Sequence, residues 1–170
     1  VRLPIFYRNL MDDNGNFILD AKGQIDFTQL DRIVDAMADR GIYTLLDLHG
    51  APGSQSTEFH TGRKDFNKLF ENTSVGETYR TRTENLWREI AKHYKNNTWV
   101  LGYDLVNEPT GAATPTALAD LYDRLYRVIR AVDTNHLIVM EGNWDWDSLP
   151  NPGDRNWQNV MYQFHYYCPM

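Results

Sequence analysis

The sequence has few of the residues on which disulfide-rich, zinc-binding and membrane-spanning proteins depend. Its one cysteine, Cys168, can form neither an internal disulfide nor a cysteine-based zinc cluster. No apolar run approaches the roughly 20 residues that a membrane helix needs. The first residues also lack the basic-then-apolar pattern of a secretory signal. We therefore expect no membrane partner and no cysteine-based metal centre.

Basic residues are also in deficit. Lysine and arginine number 17 against 23 aspartates and glutamates, which gives a net charge of -6. An acidic chain is repelled by the phosphate backbone of nucleic acids, so we expect no nucleic-acid partner. The chain lacks both a Gly-x-Gly-x-x-Gly turn and a loop ending in Gly-Lys-Ser/Thr, the two patterns that cradle a nucleotide. The sequence therefore predicts no nucleotide cofactor.

What is present is an alternation of two periodicities. The 170 residues suffice for one domain, and aromatic residues reach 13%. Short apolar runs predict strands at residues 1–5, 42–48, 100–106, 137–140 and 160–164, and helical stripes occupy residues 30–38, 79–94 and 118–132. Strands that alternate with helices form a parallel sheet, which is either doubly wound or part of a (β/α)8 barrel.

Polar side chains follow four of the predicted strands at the point where each apolar run ends. They are residues 47–49, Asn107 with Glu108, Glu141, and residues 165–167. Barrel enzymes and open α/β sheets both place their sites at the carboxyl ends of strands. Since no nucleotide cradle accompanies these residues, the sequence favours the (β/α)8 barrel.

Glu108 is the strongest candidate for chemistry. It follows Asn107 at the end of a buried strand and precedes Pro109, which breaks the strand. A glutamate in a partly desolvated cleft is more readily protonated, which suits a proton donor. The alternative is that Glu108 only caps the next loop. Asp47 and Asp104 lie deeper on the strand faces and are interpreted as structural acids neutralised by Arg2.

The remaining ionisable candidates are interpreted more conservatively. His49 and His165 have no second His or Cys at ligand spacing, so hydrogen bonding is favoured over metal binding and no cofactor is expected. Glu141 is favoured as a loop anchor, although it is also a second carboxylate on the next strand. Three other histidines lie in loop or helix-end contexts, and no role is assigned to them; they are His60, His93 and His136.

The tryptophans fall into two groups. Trp144, Trp146 and Trp157 crowd one strand-end loop, where aromatic faces can stack on the apolar faces of sugar rings. Trp87 lies on a helical stripe and Trp99 immediately precedes a strand, so both are expected in the core. The sequence thus places a possible carbohydrate cleft at the same end of the sheet as Glu108.

Four segments resemble glycoside hydrolase family 5, the cellulase-type (β/α)8 hydrolases. They are residues 1–4, 46–53, 103–109 and 165–167, with the sequences VRLP, LDLHGAPG, YDLVNEP and HYY, and they occur in the family order. The resemblance implies that residues 1–170 are part of a glycoside hydrolase catalytic domain, corresponding to strands two to six of the barrel. It also implies a β-glucan-type polysaccharide or oligosaccharide substrate, and an extracellular location.

The resemblance also implies roles for individual residues. Glu108 corresponds to the general acid/base, Asn107 to the asparagine that binds the sugar 2-hydroxyl, and His49 to a histidine lining the subsite where cleavage occurs. Arg2 corresponds to the arginine that supports the catalytic nucleophile. His165 and Tyr167 match a His-x-Tyr pair whose tyrosine hydrogen-bonds the nucleophile. Trp144 is expected to contact substrate from its loop.

The main departure from the family is the nucleophile. In the family it is a glutamate that ends strand seven, and this sequence matches no further than strand six. The chain opens on Val1 and stops within an aromatic run, so both ends are expected to be cut and the isolated segment is expected to be inactive and to self-associate through open sheet edges. Two alternatives stay open: a non-catalytic carbohydrate-binding half-barrel, and a mechanism that uses Glu108 and Glu141 as the two carboxylates.

Overall fold

The structure, a computed structural model, describes residues 1–143 and 149–166. These residues form a sheet of strands alternating with α-helices. The strands are β1 (Arg2–Phe6), β2 (Thr44–Gly50), β3 (Val100–Asp104), β4 (Leu137–Glu141) and β5 (Val160–Gln163), and the helices are α1 (Thr28–Ala38), α2 (Ser74–Tyr94) and α3 (Pro115–Arg130). Three candidate residues, Trp144, Trp146 and Tyr167, lie outside the described residues.

The order of the strands distinguishes between the two architectures that the sequence left open. All neighbouring strands are parallel, and their order in the sheet is the order of the chain, β1-β2-β3-β4-β5. A doubly wound sheet would reverse direction at a switch point. Right-handed crossovers that always advance to the same side place every helix on one face. The described sheet is therefore an open arc of a (β/α)8 barrel, as predicted.

Two helices begin at threonine caps. The Thr114 hydroxyl accepts a hydrogen bond from the Ala117 N–H, and Pro115 occupies the first turn, so α3 begins just before the predicted helical stripe at 118–132. Thr73 caps α2 in the same way through the Gly76 N–H. After α1, Gly41 adopts φ 70°, the left-handed conformation that glycine tolerates best. None of the described helices has the length and apolarity to cross a membrane.

The strand boundaries differ from the predicted ones by one to two residues. The second strand was expected at 42–48, but Ile42 and Tyr43 are exposed and the strand is Thr44–Gly50. The expectation that Trp99 belongs to the core is wrong, because it is 36% exposed and lies against the Tyr43 ring with centroids 5.2 Å apart. An apolar run in the sequence therefore does not distinguish buried residues of a strand from exposed apolar residues, such as Tyr43 and Trp99, that precede it.

The core lies between the sheet and the helices, and its large aromatic residues fix the layers through hydrogen bonds. Trp87 is fully buried, as expected, and its Nε1–H donates to the Leu105 carbonyl at 2.9 Å. The Tyr122 hydroxyl of α3 donates to the Glu141 carbonyl at 2.8 Å. Buried phenol and indole groups need such partners because desolvating a polar group without one is unfavourable. These contacts hold α2 and α3 against the ends of β3 and β4, where the candidate site lies.

Candidate active site

The polar residues predicted at the strand ends meet around the guanidinium of Arg2. Arg2 Nη1 lies 2.9 Å from Asp47 Oδ2, Nε donates to Asp104 Oδ2 at 2.8 Å, and Nη2 donates to Glu141 Oε1 at 2.6 Å. Nη2 also donates to Asn107 Oδ1 at 2.8 Å. The expected pairing of Arg2 with the two buried aspartates is confirmed. The third carboxylate, Glu141, was not expected there.

This arginine cluster, made of Arg2, Asp47, Asp104 and Glu141, carries more negative than positive groups. Burial, reinforced by the charge of Glu141, raises the pKa of Asp104 well above its usual value despite the nearby Arg2. Burial likewise raises the pKa of Glu141 to about 7, while its hydrogen bond from the Glu108 backbone and the Arg2 charge oppose the shift. The cluster therefore retains a proton close to neutral pH.

The register of the sheet shows where such a proton fits. Asp47 and Asp104 are directly paired on neighbouring strands. Among the described residues, Asp47 Oδ1 and Asp104 Oδ1 are buried without a hydrogen-bond partner. The other oxygen of Asp104 already accepts from Arg2 and faces Gln163 Nε2 at 3.4 Å. A proton on Asp104 Oδ1 relieves the charge excess without disturbing either contact.

Glu108 lies above this cluster, with its backbone and its carboxylate held by different groups. It adopts φ 43°, a left-handed conformation that is unusual for a residue with a side chain. Its N–H donates to Glu141 Oε2 at 2.8 Å. Its carboxylate is 14% exposed and lies between two imidazoles, with His165 Nδ1 2.7 Å from Oε1 and His60 Nδ1 3.5 Å from Oε2. The group is thus both fixed and accessible.

The tautomer of His165 follows from its neighbours. Gln163 Nε2 faces carboxylate oxygens of Glu141 and Asp104, which identifies it as the donating end of the amide. The same nitrogen lies 3.1 Å from His165 Nε2, which is therefore the accepting ring nitrogen. His165 Nδ1 then carries the hydrogen and donates to Glu108. Gln163 thus connects the arginine cluster to the candidate acid/base.

His60 was assigned no role from the sequence, and its position corrects that view. It lies in the loop between β2 and α2, where its ring meets His49 edge-on at 5.9 Å and faces the Glu108 carboxylate. Burial lowers its pKa, against the opposing charge of Glu108, so the imidazole is neutral around pH 7. The sequence gives no sign of the contact between His60 and Glu108, because the contact forms only when the loop between β2 and α2 folds.

Gln55 is a second residue that sequence reasoning missed. Its side chain is fully buried, and Nε2 donates to the carbonyls of His49 and Asn107, each at 2.9 Å. Its Oε1 accepts from the Ala51 N–H at 3.1 Å. Gln55 therefore ties the ends of β2 and β3 together and fixes the spacing between His49 and Asn107. Residues 46–53, which precede Gln55, belong to the family resemblance, but no pattern in the sequence indicates the role of the Gln55 amide.

The other candidates have mixed outcomes. His49 Nδ1 lies 2.8 Å from Asp47 Oδ2, so it donates to the carboxylate and leaves Nε2 as the accepting nitrogen.

Trp157 was grouped with loop tryptophans suited to sugar, but it is only 4% exposed and its indole N–H donates to Asp123 of α3 at 2.7 Å. That assignment is wrong, because Trp157 packs into the core. Within the described ranges, no group of three His, Cys, Asp or Glu side chains is placed to hold a metal ion.

Comparison with known proteins identifies the family. The model of the family described as cellulase (glycosyl hydrolase family 5) matches residues 1–170, the whole chain. The chain belongs to glycosyl hydrolase family 5.

Among curated family relatives, a β-xylosidase of Phanerodontia chrysosporium is 39% identical over 170 residues, covering 98% of this chain and 34% of the relative. A glucan 1,3-β-glucosidase of Lachancea kluyveri is 26% identical over 181 residues, covering 99% of this chain and 38% of the relative. An endoglucanase C of Acetivibrio thermocellus is 29% identical over 173 residues, covering 99% of this chain and 46% of the relative. The family 5 chain thus spans a third to a half of the length of these relatives.

Solved structures agree on the fold. The cellulose synthase subunit Z of Clostridioides difficile superposes with a TM-score of 0.71 at 21% identity, covering 99% of this chain and 49% of that one. The Cel5A endoglucanase of Thermotoga maritima, solved with cellobiose, gives 0.70 at 22% identity, covering 98% and 48%. At such identities the likeness establishes the barrel architecture of the family 5 chain and nothing about its substrate.

The geometry decides against one of the two alternatives for the chemistry. Glu141 is 1% exposed, Arg2 and Gln163 donate to its Oε1, and the Glu108 N–H donates to its Oε2. A nucleophile must present a free oxygen to the anomeric carbon, and Glu141 presents none. The favoured role as a loop anchor agrees with one of these contacts, since Glu141 holds the N–H of Glu108 in the loop after β3, while its other partners lie on β1 and β5.

Proposed function

We propose that residues 1–170 are part of the catalytic domain of a retaining β-glycosidase and supply its acid/base half. The observation that carries this proposal is the carboxylate of Glu108. It is accessible, it is held by the His165 imidazole at 2.7 Å, and it sits over a buried cluster at the carboxyl ends of barrel strands. Membership of family 5 adds the reaction class.

In the proposed reaction, Glu108 first gives its proton to the oxygen of the leaving group while a second carboxylate attacks the anomeric carbon. The product is a glycosyl ester of that carboxylate. Glu108 then takes a proton from the water that hydrolyses the ester, so the proton balance closes over one cycle. The second carboxylate must lie about 5–5.5 Å from Glu108. We assign it to the part of the enzyme beyond these residues.

The neighbouring side chains have supporting roles in this proposal. The Oδ1 of Asn107 accepts a hydrogen bond from Arg2, so the amide hydrogens of Asn107 are the groups left to bind a sugar hydroxyl. His49 offers Nε2 as an acceptor to the sugar at the point of cleavage. Arg2 and Tyr167 support the nucleophile, and Trp144 stacks on a sugar ring. These assignments extend the family resemblance residue by residue.

The substrate class that fits best is a β-linked glucan or oligosaccharide. Relatives with the names β-xylosidase, glucan 1,3-β-glucosidase and endoglucanase act, by those names, on β-xylosides, β-1,3-glucans and glucans. We therefore propose β-glucosides and β-xylosides as the first probes. An extracellular location fits a polysaccharide substrate, and acid/base chemistry between carboxylates requires no cofactor.

The test is Glu108→Gln in the full-length protein, compared on phenyl and 2,4-dinitrophenyl β-glycosides. Removing a general acid costs about 10²–10⁴-fold, and only for a leaving group that needs protonation. We expect kcat/KM to fall by that factor for the phenyl glycoside and to stay near the wild-type value for the dinitrophenyl glycoside. An equal loss on both substrates would show that Glu108 is not the acid. A wild-type protein that binds β-glucan without hydrolysing it would favour the carbohydrate-binding alternative.

A further inference from the structure

Glu141 is an acidic residue of the site whose position the proposed mechanism does not use. It ends β4, it is almost completely buried, and both of its carboxylate oxygens accept hydrogen bonds. Oε1 accepts from Arg2 at 2.6 Å and from Gln163 at 3.1 Å. Oε2 accepts from the backbone N–H of Glu108 at 2.8 Å. A buried carboxylate is thus directed at the main chain of the candidate acid/base.

The backbone of Glu108 needs such a partner. Its φ of 43° lies in the left-handed region, where a residue with a side chain is strained and stays only if its surroundings fix it. The next turn contributes one fixing contact, since the Thr110 N–H donates to the Glu108 carbonyl at 2.7 Å. Glu141 contributes the other. The left-handed turn is what brings the Glu108 carboxylate to His165 after β3 ends at Asp104.

We propose that Glu141 is a positioning residue for Glu108: its carboxylate holds the Glu108 N–H, fixes the left-handed turn and thereby aims the acid/base at the glycosidic oxygen. This inference rests on the proposed role of Glu108. It differs from a mere role in stability, because it makes the efficiency of proton donation depend on a group that never touches substrate. It also gives Arg2 a further task, since Arg2 orients the Glu141 carboxylate from the opposite side.

Two substitutions at this position separate geometry from charge. Glu141→Gln keeps the length of the side chain, but it replaces one of the two accepting oxygens with an NH2 group, which cannot accept from either Arg2 or the Glu108 N–H. Glu141→Asp keeps the charge, but its side chain is one methylene too short to reach both donors. If position is what counts, both variants misplace Glu108. If only the negative charge counts, the aspartate variant behaves like the wild type.

The experiment measures kcat/KM in the full-length protein on phenyl and 2,4-dinitrophenyl β-glycosides, because kcat/KM reports the glycosylation step that needs the acid. We expect Glu141→Gln and Glu141→Asp each to lose about 10- to 100-fold on the phenyl glycoside. On the dinitrophenyl glycoside we expect them to stay near the wild-type value. Asp104→Asn is the matched control: it also turns a buried carboxylate bound to Arg2 into an amide, and its described hydrogen bonds go to Arg2 and Gln163 while those of Glu141 include the Glu108 N–H. Its ratio between the two substrates should equal that of the wild type.

The outcomes distinguish this inference from the function beneath it. If Glu108→Gln shows the leaving-group dependence and the folded Glu141 variants lose activity equally on both substrates, or lose none, the positioning role is overturned and the function stands. Wild-type behaviour of Glu141→Asp alone also overturns it, in favour of charge. If Glu108→Gln shows no leaving-group dependence, the proposed function itself fails. Circular dichroism and thermal melting identify variants that do not fold, and the aspartate variant serves if the glutamine variant is one of them.

Discussion

At Glu108, two histidines contact the carboxylate, and their distances rank their importance. His165 Nδ1 lies 2.7 Å from Oε1, a short charge-assisted hydrogen bond. His60 Nδ1 lies 3.5 Å from Oε2, beyond the range of a good hydrogen bond. His60, with its lowered pKa, also brings no positive charge to the carboxylate near neutral pH. One histidine therefore orients the carboxylate, and the other mainly shields it from solvent.

This ranking gives a prediction at the scale of single residues. A hydrogen bond to a charged group is worth about 1.5–3 kcal/mol, which corresponds to a factor of roughly 10 to 150. We expect His165→Ala to lower kcat/KM on a phenyl β-glycoside by at least about tenfold. His60→Ala should cost less than that. Steady-state kinetics on the two full-length variants measures the difference, and a larger loss for His60→Ala would contradict the ranking.

At the scale of the secondary-structure elements, the arginine cluster ties the strands together. One guanidinium on β1 contacts carboxylates on β2, β3 and β4, so the site and the order of the sheet depend on the same ion pairs. The arrangement works only if the excess negative charge is relieved by protonation. Burial provides for this by raising the pKa of Asp104 and of Glu141. The stability of the strand ends is therefore linked to pH.

The direction of that linkage can be predicted. A carboxyl whose folded pKa is raised stabilises the protein fully below its unfolded pKa, and this contribution is lost as the pH rises through the folded pKa. For Glu141 that value is about 7, and for Asp104 it lies well above the usual 3.8. We expect the free energy of unfolding of the full-length protein to fall as the pH rises through neutrality.

Asp104→Asn tests this linkage. The amide removes one titrating group and keeps an oxygen that accepts from Arg2. Its free energy of unfolding should fall less between acidic and alkaline pH than that of the wild type, as measured by denaturant titration on both sides of pH 7. A fall as large in the variant as in the wild type would contradict a titrating Asp104 as a source of this linkage.

At the scale of the whole molecule, the described sheet has two edges. β1 pairs only with β2, and β5 pairs only with β4, among the strands described. The apolar side chains near the second edge are open to solvent: Met161 is 43% exposed and Phe164 56%. In a closed barrel, further strands would cover both edges and these side chains. Open apolar edges of this kind pair readily with other chains.

We predict that the 170-residue chain, produced alone, self-associates and does not hydrolyse glycosides. Self-association follows from the open edges, and inactivity follows because, within residues 1–143 and 149–166, no second carboxylate beside Glu108 is free to act as the nucleophile of the proposed mechanism. Sedimentation velocity across a concentration series and an assay with 2,4-dinitrophenyl β-glycosides check the two parts, with the full-length protein as control. A stable monomer would show that the edges are covered by the chain itself. Turnover by the isolated chain would show that one of its own carboxylates acts as the nucleophile.

The class of the fold and most of the strand-end residues follow from local patterns in the amino-acid sequence. Alternating strand and helix periodicities specify a parallel sheet, and the helix start at Thr114 is determined by chemistry within a few residues. Arg2, Glu108 and His165 were found because each lies at a recognisable place on a strand or at its end. Periodicity and capping are local, so they can be read before anything else is known of the structure.

The contacts of Glu108 and the burial of the tryptophans, by contrast, arise from the packing of distant segments. His60 reaches the site because the loop after β2 folds back, and Glu141 proved to hold the Glu108 backbone in the loop after β3. Trp157 lies in the core and Trp99 lies at the surface, the reverse of the two predictions. Each of these outcomes depends on contacts between residues far apart in sequence. Such contacts are set by how the strands and helices pack together, and no local spacing records them.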